Sequence, residues 1–196
     1  VKKIPTLFER DWNGDRSRVV PAVNPACQWV LDGEGIATRK VDGACAMIRS
    51  GELFKRRELR PHDAEPTGFE LADRDDETGK RVGWVPVGDG PEDRWFREAF
   101  DHAGLPDGTY ELLGPKVQGN PEGQSRHVLV AHNLGLRLVP EPPRDFEGLR
   151  AWLAGRDMEG VVWHHPDGRR AKIKLRDFGH RRALALSPPS SEGDEQ

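Results

Sequence analysis

The segment from Gly160 to Leu175 constrains the fold more than any other. Gly160-Val-Val-Trp-His164 and Ala171-Lys-Ile-Lys-Leu175 are runs of strand length. Between them Pro166-Asp167-Gly168 has the turn chemistry of a hairpin. Side chains two apart on a strand share a face, so Lys172 and Lys174 stand together. Two adjacent ammonium groups repel unless an anion lies between them, and a phosphate is the obvious anion. Their field also favours the neutral form of a third lysine nearby.

Other segments read as strands around turns. Ile36 to Arg39 leads into Lys40-Val-Asp-Gly43, and Ala44 to Arg49 returns through Ser50-Gly51 to Glu52 to Arg57. Thr109 to Leu113, His127 to His132 and Leu136 to Val139 are further strands. Helices are fewer. Pro91 to Ala103 carries Trp95, Phe96, Ala99 and Phe100 on one face, and Asp145 to Gly155 carries Phe146, Leu149, Trp152 and Leu153. Strands and helices without regular alternation predict an α+β fold.

With 196 residues, one domain over 1–186 is expected, and the polar, Pro/Ser-rich stretch 187–196 is expected to be disordered. No apolar run of about 18 residues exists, which excludes an apolar membrane-spanning helix. The first residues lack the pattern of a secretory or transit segment. Cys27 and Cys45 are the two cysteines, too few for a disulfide framework, so reduced thiols in a cytoplasmic protein are expected. The net charge of −3 excludes a general polyanion binder. Charge is nevertheless concentrated, with a net of −6 over 58–77 and +5 over 167–182.

The candidate chemistry follows from residue types. Lys40, at a strand end, is a nucleophile if its amine loses a proton, and Gly43 lets the backbone turn closely around a ligand. Glu111 and Glu159 sit among apolar strand residues, where a carboxylate is turned toward a cleft and can meet ribose hydroxyls or a hard cation. In Lys55-Arg56-Arg57, Lys55 and Arg57 share one strand face and Arg56 takes the other, so one arginine can reach a phosphate or a ribose. Each feature alone also fits an ordinary charged surface.

Their order is more specific: K-x-D-G, a basic strand, a strand Glu, E-G-V-V, then K-x-K. In this order the chain resembles the covalent nucleotidyltransferase superfamily of polynucleotide ligases and capping enzymes. Tyr110-Glu-Leu-Leu-Gly-Pro-Lys-Val-Gln-Gly-Asn-Pro121 and Ile4-Pro-Thr-Leu-Phe8 look most like the compact RNA ligases of the RNA ligase 1 type. The resemblance implies an ATP-grasp-like nucleotidyltransferase core of antiparallel sheets flanked by helices. No OB domain is expected, since 22 residues follow Lys174. It further implies ATP as the nucleotide, Mg²⁺ or Mn²⁺ as the metal, and RNA with 5′-phosphate and 3′-hydroxyl ends as the partner. Lys40 would carry AMP as a lysyl-AMP adduct, and Glu159 would hold the metal. Thr38, Asp42, Gly43, Arg57 (or Arg56), Glu111, Lys172 and Lys174 would bind the nucleotide. Two other readings use the same residues: nucleotidyl transfer to a DNA or protein acceptor, and a non-catalytic RNA-end-binding protein.

Other signals point less far. His164 and His165 are adjacent and face opposite ways on a strand, so they cannot chelate one ion. With no paired Cys or His spacing, a zinc site is not expected. Trp29, Trp95, Trp152 and Trp163 lie in apolar patterns expected to be core. Trp12 and Trp84 are left open.

Overall fold

The computed structural model describes residues 3–76, 78–101, 104–132 and 136–182. The expected disordered stretch 187–196 lies outside them. In chain order the elements are β1 (Phe8–Arg10), β2 (Val19–Val23), α1 (Gln28–Leu31), β3 (Ile36–Lys40), β4 (Ala44–Arg49), β5 (Glu52–Leu59), β6 (Glu70–Arg74) and β7 (Arg81–Pro86). Then come α2 (Arg94–Asp101), β8 (Gly108–Leu113), β9 (Val128–Ala131), α3 (Phe146–Ala154), β10 (Gly160–His164) and β11 (Arg170–Lys174). The fold is α+β, and its strand pairs are antiparallel.

Among the described residues two larger sheets form, in the orders β11-β10-β3 and β6-β7-β5-β4-β8-β9. The Gly160 hairpin forms as predicted, with Val161 opposite Ile173 and Trp163 opposite Ala171. At the β4–β5 turn both Ser50 (φ 54°) and Gly51 (φ 76°) are left-handed, as a tight two-residue hairpin requires. Leu136 to Val139, expected as a strand, makes only a bridge beside β3, with Leu138 N–H donating to the Ala37 carbonyl at 2.9 Å. The stretch at Thr6 covers the opposite edge of the sheet, where Leu7 N–H donates to the Lys172 carbonyl at 2.8 Å.

The acidic stretch 58–77 contains β6 and the end of β5. Its charge is offset by pairs across the sheet and beyond it: Arg49–Glu70 at 2.7 Å, Lys80–Glu58 at 2.8 Å, Arg81–Glu65 at 2.6 Å and Lys3–Asp75 at 3.1 Å.

Two cores hold the layers together. Ala37, Val161, Trp163, Ala171 and Ile173 cover one face of the three-stranded sheet and pack with Leu149 and Leu153 of α3 and Val30 of α1. Each large side chain buried here contributes about 1.5–3 kcal/mol by leaving water. Asp145 caps α3 by accepting from Gly148 N–H at 2.8 Å. The second core lies under the six-stranded sheet, where Ile48, Tyr110 and Leu112 meet Trp95, Phe96, Ala99 and Phe100 of α2. Trp84 is buried too, whereas Trp12 is 54% exposed.

The link between the sheets places the site. Only Val41-Asp42-Gly43 joins β3 to β4, so the chain leaves one sheet and enters the other immediately after Lys40. Gly160 pairs with Lys40 on one side and Lys174 on the other. A β-carbon at Gly160 would run into the Ile173 carbonyl and lie 2.8 Å from the Lys174 Cα. Gly160→Ala is therefore expected to lower stability by about 1–3 kcal/mol through overpacking. The shift of its urea midpoint measures this.

Candidate functional site

Register decides which side chains meet. Thr38 and Lys172 flank Val162, and Lys40 and Lys174 flank Gly160, in matching registers across the three strands. With Ala37, Val161, Ala171 and Ile173 committed to the core, alternation turns Thr38, Lys40, Lys172 and Lys174 to the other face. That face meets the ends of β4 and β8. A cavity of about 190 Å³ opens there, lined by Thr38, Lys40, Cys45, Arg56, Glu111, His132, Val162, His164, Lys172 and Lys174, among others.

The lysine cluster has one carboxylate at its centre. Glu159 Oε2 accepts from Lys40 Nζ at 2.5 Å, and Oε1 accepts from Lys174 Nζ. Burial works to raise the Glu159 carboxyl, but the charges and hydrogen bonds of Lys40 and Lys174 outweigh it and hold the group below its ordinary value. Lys172 is left over. Burial, then the charges of Lys174 and Lys40, push its amine down to about 8. Asp177 works against this, but it is itself bound to Arg10 at 2.9 Å. Lys40 and Lys174 take up Glu159, and the cavity's other carboxylate, Glu111, is bonded to Gly43 N–H and His132, so with Lys172 and Arg56 also in the wall the site is short of negative charge and suited to an anion.

The predicted residues do not all fall together. Asp42 and Gly43 stand behind the cavity rather than in its wall. Asp42 N–H donates to Glu122 Oε1 at 3.1 Å, and Gly43 N–H donates to Glu111 Oε1 at 3.2 Å. Burial, then the nearby charge of Glu159, raises the Asp42 carboxyl. Arg56, not Arg57, lines the cavity. The reason lies in the alternation of β5. Lys55 pairs with Asp93 just before α2, so the face it shares with Arg57 looks toward α2 and Arg56 turns the other way. Of the basic residues near the hairpin, Arg170 lines the cavity and Arg176 the adjoining groove. Arg169 is held by Asp167 at 2.7 Å, and Arg182 by Glu122 at 2.8 Å and Asp157 at 2.6 Å.

Three features escaped sequence reasoning. Glu122 is buried between Arg39 (2.6 Å) and Arg182, and with Gln118, which donates to the Gly43 carbonyl, it ties the loop after β8 to the Lys40 link. His164 Nε2 lies 3.1 Å from Thr38 Oγ1, while that hydroxyl donates to the Val162 carbonyl at 3.0 Å. Burial, then Arg170 and His132, lowers the His164 pKa. Finally, Cys45 and His132 join Glu111 in the cavity wall. No local motif announces these contacts, because their members come from different strands and loops.

Residues 98–193 match the family model described as RNA ligase 1. Over this stretch, just under half of its length, the chain is similar to the RNA ligase 1 family. A curated relative, RNA ligase 1 of Danio rerio, is 37% identical over 99 residues, covering 46% of this chain. The match spans 28% of the relative's own length. The family match includes Glu111, Glu159, Lys172 and Lys174, while Thr38, Lys40 and Arg56 precede it.

The charge balance of the cavity has a direct consequence for pH. Below about 8 Lys172 is charged and attracts an anion, and above it the free site loses that charge. Binding of inorganic pyrophosphate is expected to weaken as pH rises through about 8. In Lys172→Arg, whose guanidinium stays charged, this decline should disappear from that range. Calorimetric titration across pH measures both.

Proposed function

We propose that this protein joins RNA ends at the expense of ATP, with Lys40 as the nucleophile that takes up AMP. The observation that carries the reading is the Lys40–Glu159–Lys174 cluster, set in one cavity with Lys172, Arg56, Glu111 and Thr38. Similarity to the RNA ligase 1 family over residues 98–193 supports the class of reaction and of substrate.

The residues suit each step. Lys40 Nζ attacks the α-phosphorus of ATP, a P–N bond forms, and the P–O bond to pyrophosphate breaks. Nζ must shed protons to do so, and Glu159 Oε2 is the acceptor nearest to it. The 5′-phosphate of an RNA end then attacks the same phosphorus and Lys40 departs. Last, a 3′-hydroxyl attacks the 5′-phosphorus and AMP leaves. Lys172, Lys174 and Arg56 stabilise the phosphate charge that develops, inside a partly buried cavity where such contacts are strong. Glu111 and Thr38 are the groups for the ribose and the base.

Mg²⁺ or Mn²⁺ would supply further neutralisation of the phosphate oxygens. Glu159 offers the hard oxygen donors for it, and Asp42 is close enough to feel the Glu159 charge. Both Glu159 oxygens hold lysines in this structure, so the carboxylate becomes free for a cation once phosphates draw those lysines away. An adjoining groove of about 720 Å³ shares Arg56, Lys172 and Lys174 with the cavity and adds Trp12 and Arg176, groups that can meet an RNA strand, beside the carboxylates of Glu9, Glu58, Asp73 and Asp75. Among the described residues no helix is long and apolar enough to cross a membrane.

The test is strand joining with 5′-phosphate, 3′-hydroxyl RNA, ATP and either metal. The reading predicts joined product with RNA ends and none with Lys40→Ala. Arg56→Ala should slow joining about a hundredfold through a lost phosphate contact, while Arg57→Ala should be near wild type. Product from DNA ends alone, or transfer only to protein, would redirect the reading to another acceptor. RNA binding without turnover would leave a non-catalytic binder.

A further inference from the structure

The cavity wall opposite the lysines carries a second set of chemically able side chains. Cys45 Sγ, a Glu111 oxygen and a His132 ring nitrogen all lie within 4.8 Å of one another. Cys45 and Glu111 are direct partners across β4 and β8, and His132 follows β9, its N–H donating to the Thr109 carbonyl at 3.1 Å. One sulfur, one oxygen and one imidazole nitrogen form the donor set of a borderline-soft cation and suit Mg²⁺ poorly. We propose that Cys45, Glu111 and His132 form a three-ligand site for a thiophilic divalent cation of the zinc class.

The surroundings already orient the ligands. His132 Nδ1 lies 3.0 Å from Thr109 Oγ1, which fixes the ring plane, and Glu111 Oε1 is held by Gly43 N–H at 3.2 Å. Such outer contacts are what a metal-binding histidine and carboxylate need. Tetrahedral ligands on zinc stand roughly 3.5 Å apart, so a pair near the 4.8 Å limit must close by about 1 Å around an ion, while His132 Nε2 and Glu111 Oε2, now 2.8 Å apart, must open slightly.

The proton balance is simple. His132 Nε2–H now donates to Glu111 Oε2 at 2.8 Å. On binding, that proton is exchanged for one on Nδ1, where the Thr109 hydroxyl oxygen accepts it. The Cys45 thiol releases one proton to solvent. The cation then meets a thiolate, a carboxylate and a neutral imidazole, so its two charges are matched. Arg56 and Lys40 are cations that act on Cys45 and would oppose the ion, and the Lys40 ammonium is already paired with Glu159. The remaining coordination position faces the cavity, as in open zinc sites. An ion here would occupy Glu111, so on the ligase reading it would withdraw that carboxylate from the nucleotide.

Cobalt titration of the full chain, without nucleotide, tests the site whatever the outcome for ligation. The proposal predicts a thiolate-to-cobalt charge-transfer band in the near ultraviolet that saturates at one Co²⁺ per chain. The band should persist in Cys27→Ser and vanish in Cys45→Ser. Thr109→Val should keep the band but weaken Co²⁺ affinity about 10–100-fold by loosening His132. This variant still tests the site if Cys45→Ser misfolds. Folded wild-type protein, judged by circular dichroism, that shows no band at saturating Co²⁺ would overturn the proposal. So would a band that survives in folded Cys45→Ser, or full Co²⁺ affinity in Thr109→Val.

Discussion

One carboxylate holds the site together. Glu159 takes an ammonium on each oxygen, from Lys40 at the end of β3 and from Lys174 at the end of β11. Without it, like charges on neighbouring strands would face each other in a partly buried cavity, at a cost of several kcal/mol in a medium of low dielectric. Gly160 makes the arrangement possible, because its bare backbone lets the two lysine strands flank it closely. The same arrangement leaves Lys172 and Arg56 without a share of that carboxylate. The site is neutralised enough to fold and remains positive enough to attract phosphate.

The seam between the two sheets gives this cluster its position. A link of three residues carries the chain from Lys40 into β4, and the loop after β8 grips that link through Glu122 and Gln118. The Lys40 segment is therefore held from three directions: by sheet pairing with β10, by Glu159 ahead of it, and by the loop behind. A reacting lysine benefits from such a fixed frame, since small errors in position cost large factors in rate.

Much of this was legible in the sequence. The Gly160 hairpin, the shared face of Lys172 and Lys174, the β4–β5 turn and the helices α2 and α3 follow from alternation, turn residues and helical spacing. The fold class followed from their order. What stayed hidden depended on partners far along the chain. β6 was masked by charge that a cross-sheet pair neutralises, as at Arg49–Glu70, and the short apolar run of β7 is interrupted by Gly83 and ends at Pro86. Alternation divided Lys55, Arg56 and Arg57 into two faces but could not say which face meets the cavity, since the Lys55–Asp93 pair decides that. Cys45, Glu111 and His132 come together only because β4, β8 and β9 are neighbours in one sheet. Histidine spacing along the chain carried no trace of them.

The proposed reaction stands on Lys40 as the nucleotidyl acceptor. The most direct measurement is intact-mass analysis with peptide mapping, after the protein is stripped of bound nucleotide and incubated with ATP and a divalent cation. One AMP per chain is expected, located on Lys40, labile in acid and absent from Lys40→Ala. Folded protein that gains no mass with either Mg²⁺ or Mn²⁺, or an adduct mapped to another residue, would contradict it.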